Sequence, residues 1–461
     1  MSADPISFAL QNRDRFYGEL FDFLRIPSVS AKSEHDADTR AAADWVAGQM
    51  THAGLAADVL ETPGHPIALG EWRGAGDDAP TVLVYGHYDV QPPEPLELWE
   101  SPPFTPEVRD GLIYARGSAD DKGQLFLHLK AIEAHLATRG TLPVNVIVLA
   151  EGEEEVGSPN LVPFVEQHAS RLAADVVVIS DSAMLAPGVP ALLSSLRGLA
   201  YFEVHAQGPA SDLHSGAYGG AVANPANALA QLLAGLHDSE GRITIAGFYD
   251  RVAVPSEETL QNMRGLPFDE EAFTEPLGIP PAGGEKDRTV LERLWTRPSC
   301  DVNGLLSGYT GEGAKTVLPA KAMAKVSFRL VPDQDPAEVK RLLDAHVEAH
   351  TPPGIRFEVV ELHGGRPWSA TVEGPFFDAA ARALESGFGA RPVLTGEGGS
   401  IPIVVEFERI LGAQALLIGF ALPGANMHAP NEWFATDCFE RGIDTLIHLY
   451  DELPTGPRPT G

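Results

Sequence analysis

Residues 83–92 read LVYGHYDVQP, an apolar run that ends in His87 and Asp89, two positions apart. With the two residues before it the run becomes TVLVY (81–85), short and rich in β-branched and leucine side chains, as a strand covered on both faces should be. Three more runs share that character: VNVIVLA (144–150), ADVVVIS (174–180) and ALLIGF (415–420). Between them lie stretches of helical periodicity at 8–25, 39–53 and 121–137, the last with Leu125, Leu129, Ile132 and Leu136 spaced to pack on a sheet. Alternating buried strands and amphipathic helices predict an α/β domain with a mostly parallel sheet flanked by helices.

Each strand is followed by chemistry. VNVIVLA runs into EGEEEVGS, with Glu151, Glu153, Glu154 and Glu155; ADVVVIS runs into Asp181; ALLIGF leads through a short loop to NMHAPNE and His428. The helix 121–137 is preceded by RGSADDKG, which puts Asp120 and Asp121 at its N-terminus. In open α/β sheets, ligand sites form past the carboxyl ends of the strands. His87, Asp120, Glu155, Asp181 and His428 are therefore expected to converge there as metal ligands.

Taken singly these residues have plainer readings. An aspartate before a helix is usually a cap, an acidic run a solvated loop, and a loop histidine an ordinary polar residue. Independent caps and loops have no reason, however, to put three acids and two histidines on one sheet edge. Two imidazoles and three carboxylates without a cysteine suit Zn²⁺, Mn²⁺ or Co²⁺. Five ligands exceed what one four-coordinate ion needs if a position stays open, whereas two ions sharing a carboxylate use them all.

From about Arg197 the pattern changes. YFEVHAQG, KAMAKVSFRLVP and IRFEVVEL alternate like half-exposed strands, while NALAQLLAGLHD and DPAEVKRLLDAHVEAH read as helices, the latter with an Asp-Pro start signal. The order approximates a split βαβ sandwich. The pattern predicts a larger α/β domain at 1–196 and 367–461 into which a small α+β domain is inserted at 197–366. The Pro- and Gly-rich stretch 250–313 reads as loops with a few short helices.

Composition bounds the function. At 461 residues two domains are expected, and 44% hydrophobic with 21% charged residues is the balance of a globular protein without a membrane span. A formal charge of −31 with no basic patch excludes nucleic acid and anionic membrane as partners. Cys300 and Cys438 form no CxxC pattern, so neither a thiolate zinc site nor a disulfide framework is expected. The start MSADPISFALQNRDRF has no basic, apolar leader, and a cytoplasmic location is expected.

These residues carry a resemblance. GHYDVQP (86–92), RGSADDKG (116–123), EGEEEVGS (151–158), ISDS (179–182), SDLHSGAYGG (211–220), RLVP (329–332), EGGSIP (397–402) and MHAPNE (427–432) resemble, in order along nearly the whole chain, the M20 metallopeptidases and within them the carnosinase-like dipeptidases. The resemblance implies that Asp120 bridges two divalent cations, with His87 and Asp181 on one and Glu155 and His428 on the other. It implies Glu154 as general base, Asp89 as the partner that orients the His87 ring, and a cis Asp120–Asp121 peptide. Tyr85 and Tyr88 are left as packing residues.

Only the resemblance implies that the larger domain is catalytic and that the inserted one is a lid and dimerisation domain. For the inserted domain it implies that His214, supplied by the partner protomer of a homodimer, stabilises the oxyanion, and that Arg329 binds the substrate carboxylate. Thr316, Ser400 and Glu397 would line the same pocket. Relatives often carry Arg before EGGSIP, where this chain has Gly396. The implied activity is hydrolysis of short peptides, a dipeptidase reaction by a water between two cations, Zn²⁺ foremost. The alternatives are an N-acyl-amino-acid deacylase or a carboxypeptidase built on the same centre.

Overall fold

Thr81–His87 is a central strand of a six-stranded sheet in the computed structural model, which describes residues 4–275, 278–281, 283–399 and 401–453. The strand order is Ala56–Leu60, Ile67–Trp72, Asn145–Glu151, Thr81–His87, Val176–Ile179, Gln414–Leu417. The last four are mutually parallel, and the first two join as an antiparallel edge. All four expected strands are present. Val82, Leu83 and Val84 are fully buried, each worth about 1.5–3 kcal/mol of apolar burial. The parallel register sets His87 beside Glu151, and Leu417 beside Ile179, so four carboxyl ends open on one edge.

The helix expected at 121–137 spans Lys122–Arg139 and is buried continuously from Lys122 to His135, so it forms a spine enclosed on every side. Asp121 does not cap it; the Asp121 carboxylate turns back to accept the His87 N–H at 3.2 Å. The expected helix 8–25 is two helices, Pro5–Gln11 and Arg13–Leu24, meeting at Asn12.

The described chain divides into two units. One comprises the chain up to Ser194, Ala370–Thr395 and the part from Glu406 onward; the other comprises Ser195–Ser369 and Gly396–Val405. Compared with the expected boundaries 197–366 and 367–461, residues 396–405 thus group with the inserted unit.

The inserted unit holds an antiparallel sheet ordered Ser299–Ser307, Lys321–Leu330, Gly198–Gln207, Arg356–Gly365. Helices Pro225–Ala234 and Pro336–Ala349 cover one face, packing Leu229, Leu232, Val339 and Leu343 against Phe202, Val204, Val326 and Phe328. The Asp-Pro signal is realised: Asp335 Oδ1 accepts the Ala337 N–H at 2.8 Å. The strand Ser299–Ser307 corrects the reading of 250–313 as loops and short helices alone. It escapes pattern recognition because it lies at the sheet edge with Val302, Leu305 and Leu306 exposed, so no alternation marks it.

Candidate metal centre

His87, the last residue of its strand, is completely buried. Its Nε2 lies 3.2 Å from Asp120 Oδ1 and 3.8 Å from Asp181 Oδ2, yet it finds no hydrogen-bond partner among the described residues. On the other side of Asp120, Oδ2 lies 2.8 Å from His428 Nε2, which is 3.3 Å from Glu155 Oε2. The structure thus brings all five expected ligands together in two triads, His87–Asp120–Asp181 and Asp120–Glu155–His428. In each, one ligand atom per residue lies within 4.8 Å of the others.

The donor set fits two divalent cations. A buried ring nitrogen with no partner faces carboxylate oxygens, and Asp120 belongs to both triads. Burial, and then the neighbouring Asp120, push Asp181 up to about 7. His428, held between Asp120 and Glu155, is pushed up to about 10. Burial opposes protonation of His87, but the Asp120 and Asp89 carboxylates prevail and hold it well above the usual imidazole range. Without a cation, protons take up the negative charge of this cluster.

The acidic run is not a solvated loop. Glu151 accepts from Tyr85 Oη at 2.6 Å and Ser158 Oγ at 2.8 Å; Glu153 accepts from the His65 N–H at 3.0 Å and from Asn160 Nδ2 at 2.8 Å. Among the described residues, Glu155 is the member of the run that belongs to a triad. The Glu155 carboxylate is further held by Gln91, through the backbone N–H at 3.1 Å and Nε2 at 2.7 Å. Glu154 is kept well above the usual carboxylate range by burial, an effect that Asp181 and Glu155 reinforce and His87 opposes. A base raised in this way can hold a proton near neutral pH.

Asp89 lies two residues past the end of the strand, not within it, and does more than orient a ring. The His87 Nδ1 hydrogen bond goes to the Asp89 backbone carbonyl at 3.1 Å, with carboxylate Oδ1 at 3.4 Å; the carboxylate accepts the backbone N–H groups of Glu154 and Glu155 at 3.3 and 3.1 Å and the Ser30 hydroxyl at 2.6 Å. The Asp120–Asp121 peptide is cis. Tyr85 and Tyr88 are packed in the core, and both hydroxyls also donate, to Glu151 and to the Pro66 carbonyl.

Sequence reasoning gave no role to Gln91, Ser30 or Glu432. Gln91 and Glu432 sit inside the GHYDVQP and MHAPNE motifs, which was the available signal; Ser30 has none. Glu432 is fully buried and receives Arg116 Nη1 at 2.7 Å and the N–H groups of Gly117, Ala119 and Asp120 at 2.9, 2.9 and 3.1 Å.

In the inserted unit, His214 and Thr316 are brought together. A two-stranded ribbon pairs His214 with Val317, and the Ser215 N–H donates to the Thr316 carbonyl at 3.1 Å. His214 is exposed, and its Nδ1 accepts the Gly216 N–H at 2.9 Å, so the neutral ring carries its proton on Nε2. Arg329 lies on the uncovered sheet face opposite Leu199 and Ser299. Glu397 accepts the Gly398 N–H with its own side chain at 3.0 Å. Ser400 lies outside the described residues. Gly396 has a local cause: a Cβ there would stand 2.7 Å from Trp295 Cγ, so the indole fills the space a side chain would take.

Residues 83–452 match peptidase family M20/M25/M40. The chain belongs to this family. Among its relatives, the Cys-Gly metallodipeptidase dug1 of Schizosaccharomyces pombe is 33% identical, the match covering 98% of each chain. The structure of human carnosine dipeptidase 1 superposes with a TM-score of 0.84 at 28% identity over 98% of both chains. An M20 family metallo-carboxypeptidase from Sulfolobus solfataricus gives 0.84 at 34% identity over 95% of this chain and 99% of that one. The M20 architecture, a catalytic domain with an inserted second domain, is the one described above.

Proposed function

We propose that the protein is a metallodipeptidase that hydrolyses short peptides at a centre built from His87, Asp120, Asp181, Glu155 and His428. The reading rests foremost on one observation, the carboxylate of Asp120 standing between two histidines that each belong to a separate three-ligand group. Membership of a peptidase family whose similar members carry dipeptidase names supports it. Two divalent cations bound there, Zn²⁺ foremost and otherwise Mn²⁺ or Co²⁺, supply Lewis acidity and make water a nucleophile at neutral pH.

The chain's own residues do the rest. Glu154 takes the proton of the attacking water and returns it to the leaving amine. Asp89 keeps Glu154 and His87 in register. His214 offers its Nε2–H to the developing oxyanion, and Arg329 offers a guanidinium fork to the substrate's terminal carboxylate, with Thr316 and Glu397 as further pocket residues.

The partners that follow are a small peptide and a second copy of the chain. The edge strand Ser299–Ser307, with its exposed Val302, Leu305 and Leu306, supports pairing through the inserted unit. Both cysteines are free and buried, which supports a reducing, cytoplasmic setting. Among the described residues no helix is long and apolar enough to cross a membrane.

The likeness to the Sulfolobus carboxypeptidase favours one second reading, removal of C-terminal residues from longer or blocked peptides. Purified protein loaded with Zn²⁺ or Mn²⁺ is tested on dipeptides, N-acyl amino acids and tetrapeptides. Dipeptide hydrolysis that disappears on chelation and returns with metal is the expected result. A preference for N-blocked or longer substrates by kcat/KM overturns the dipeptidase assignment.

A further inference from the structure

We infer that Glu432 is a positioning residue for the metal centre: it fastens the Asp120 loop to the His428 loop and so sets the Asp120–Glu155–His428 half of the cluster. The inference rests on the reading that the centre holds two cations.

A glutamate with no exposed surface is costly unless its oxygens are satisfied. Glu432 is satisfied by a single short segment. Oε1 takes the N–H groups of Ala119 and Asp120, and Oε2 takes Arg116 Nη1 and the Gly117 N–H. A fifth bond, from the Ala115 N–H to the Glu432 carbonyl at 3.2 Å, ties the backbones. Successive N–H groups curled around one anion hold a loop that lacks regular structure of its own. Asp120 is thereby held by its N–H while its carboxylate faces both histidines.

The other end of the fastening is equally fixed. His428 lies four residues before Glu432, in a turn closed by the Trp433 N–H to the Ala425 carbonyl at 2.9 Å and by Asn426 Nδ2 to the Asn431 carbonyl at 3.2 Å. Asn426, His428 and Asn431 all have left-handed φ, at 56°, 60° and 60°, a conformation the closed turn must impose. His87 and Asp181, in contrast, are delivered by the ends of central strands, and Glu432 reaches them through Asp120 and, more remotely, through the bond from Arg116 Nη2 to the Pro92 carbonyl at 3.4 Å. Disturbing Glu432 therefore acts unequally on the two triads.

The test is calorimetric titration of metal-free protein with Zn²⁺. Wild type is expected to bind two ions. Glu432→Gln, which keeps the shape but turns an amide group toward N–H donors and leaves Arg116 without its carboxylate, is expected to lower the melting temperature of the metal-free protein, to retain one ion and to bind the second at least about tenfold more weakly. Two ions bound as in wild type overturn the role. Equal weakening of both ions also overturns it, because that is what a merely structural residue would do.

If Glu432→Gln does not fold, Arg116→Lys is titrated instead: selective weakening of one ion supports the role, and unchanged binding overturns it. Fewer than two ions in wild type overturn the dinuclear reading itself, an outcome separate from any behaviour of the variants.

Discussion

The carboxylate of Asp89 stands 3.4 Å from Nδ1 of His87, and the same carboxylate receives the backbone N–H of Glu154. One residue thus touches both a proposed metal ligand, whose Nδ1 it meets with its carbonyl at 3.1 Å, and the backbone of Glu154, the proposed general base. Asp89→Asn keeps the volume but loses the charge and half of the acceptor capacity. Zn²⁺ affinity measured by titration should fall about 10- to 100-fold, and kcat should fall with it even at saturating metal, because Glu154 is displaced as well.

Glu154 belongs to neither triad, so its loss separates chemistry from metal binding. Glu154→Gln should lower kcat by about 10²- to 10⁴-fold while two ions per chain are retained in elemental analysis. Loss of metal along with activity would show that Glu154 is a ligand and not the base.

Removal of metal should leave a folded protein, since the strands that deliver His87 and Asp181 are buried in the core independently of any ion. Circular dichroism after chelation should be unchanged while activity is abolished. Restoring Zn²⁺ at about one hundred times its Kd should raise unfolding stability by about 2.7 kcal/mol per site.

His214→Ala removes the Nε2–H without touching the ligands and should cost about 10²- to 10³-fold in kcat. Mixing it with Glu154→Ala tests the origin of the residue. Activity recovered on subunit exchange means that His214 serves the partner's centre; none recovered means that it serves its own.

Glu151, outside the proposed ligand set although it pairs in register with His87, gives a pH signature of its own. Burial raises its carboxyl to about 7 from an ordinary 4.5, so between those values the folded chain holds a proton that the unfolded chain has released. The stability of the metal-free protein should therefore decline as pH rises from about 4.5 to 7, by an amount on the order of 3 kcal/mol if Glu151 acts alone. Glu151→Gln should flatten that decline in denaturant titrations. An unchanged slope would place the titration elsewhere.

Much of the centre was legible because its ligands follow runs that could only be buried strands. His87, Glu155 and Asp181 each lie just past such a run, and their convergence follows from the sheet rule. Beyond their place in two motifs, Glu432 and Gln91 were not legible, because what their carboxylate or amide accepts and donates lies across more than sixty residues of chain. The strand Ser299–Ser307 was missed for the opposite reason. An edge strand with apolar residues facing outward carries no internal signature, and only its neighbour Lys321–Leu330 reveals it.

The fastening of Asp120 by Glu432 also has a consequence for the order in which the protein is made. His87, Asp120 and Asp181 leave the ribosome early, but the loop that carries Asp120 waits for its anchor until residue 432 of 461 has emerged. The inserted unit is synthesised in the interval. A half-made chain therefore lacks both His428 and the anchor of Asp120, so the proposed centre cannot be complete before residue 432 has been made.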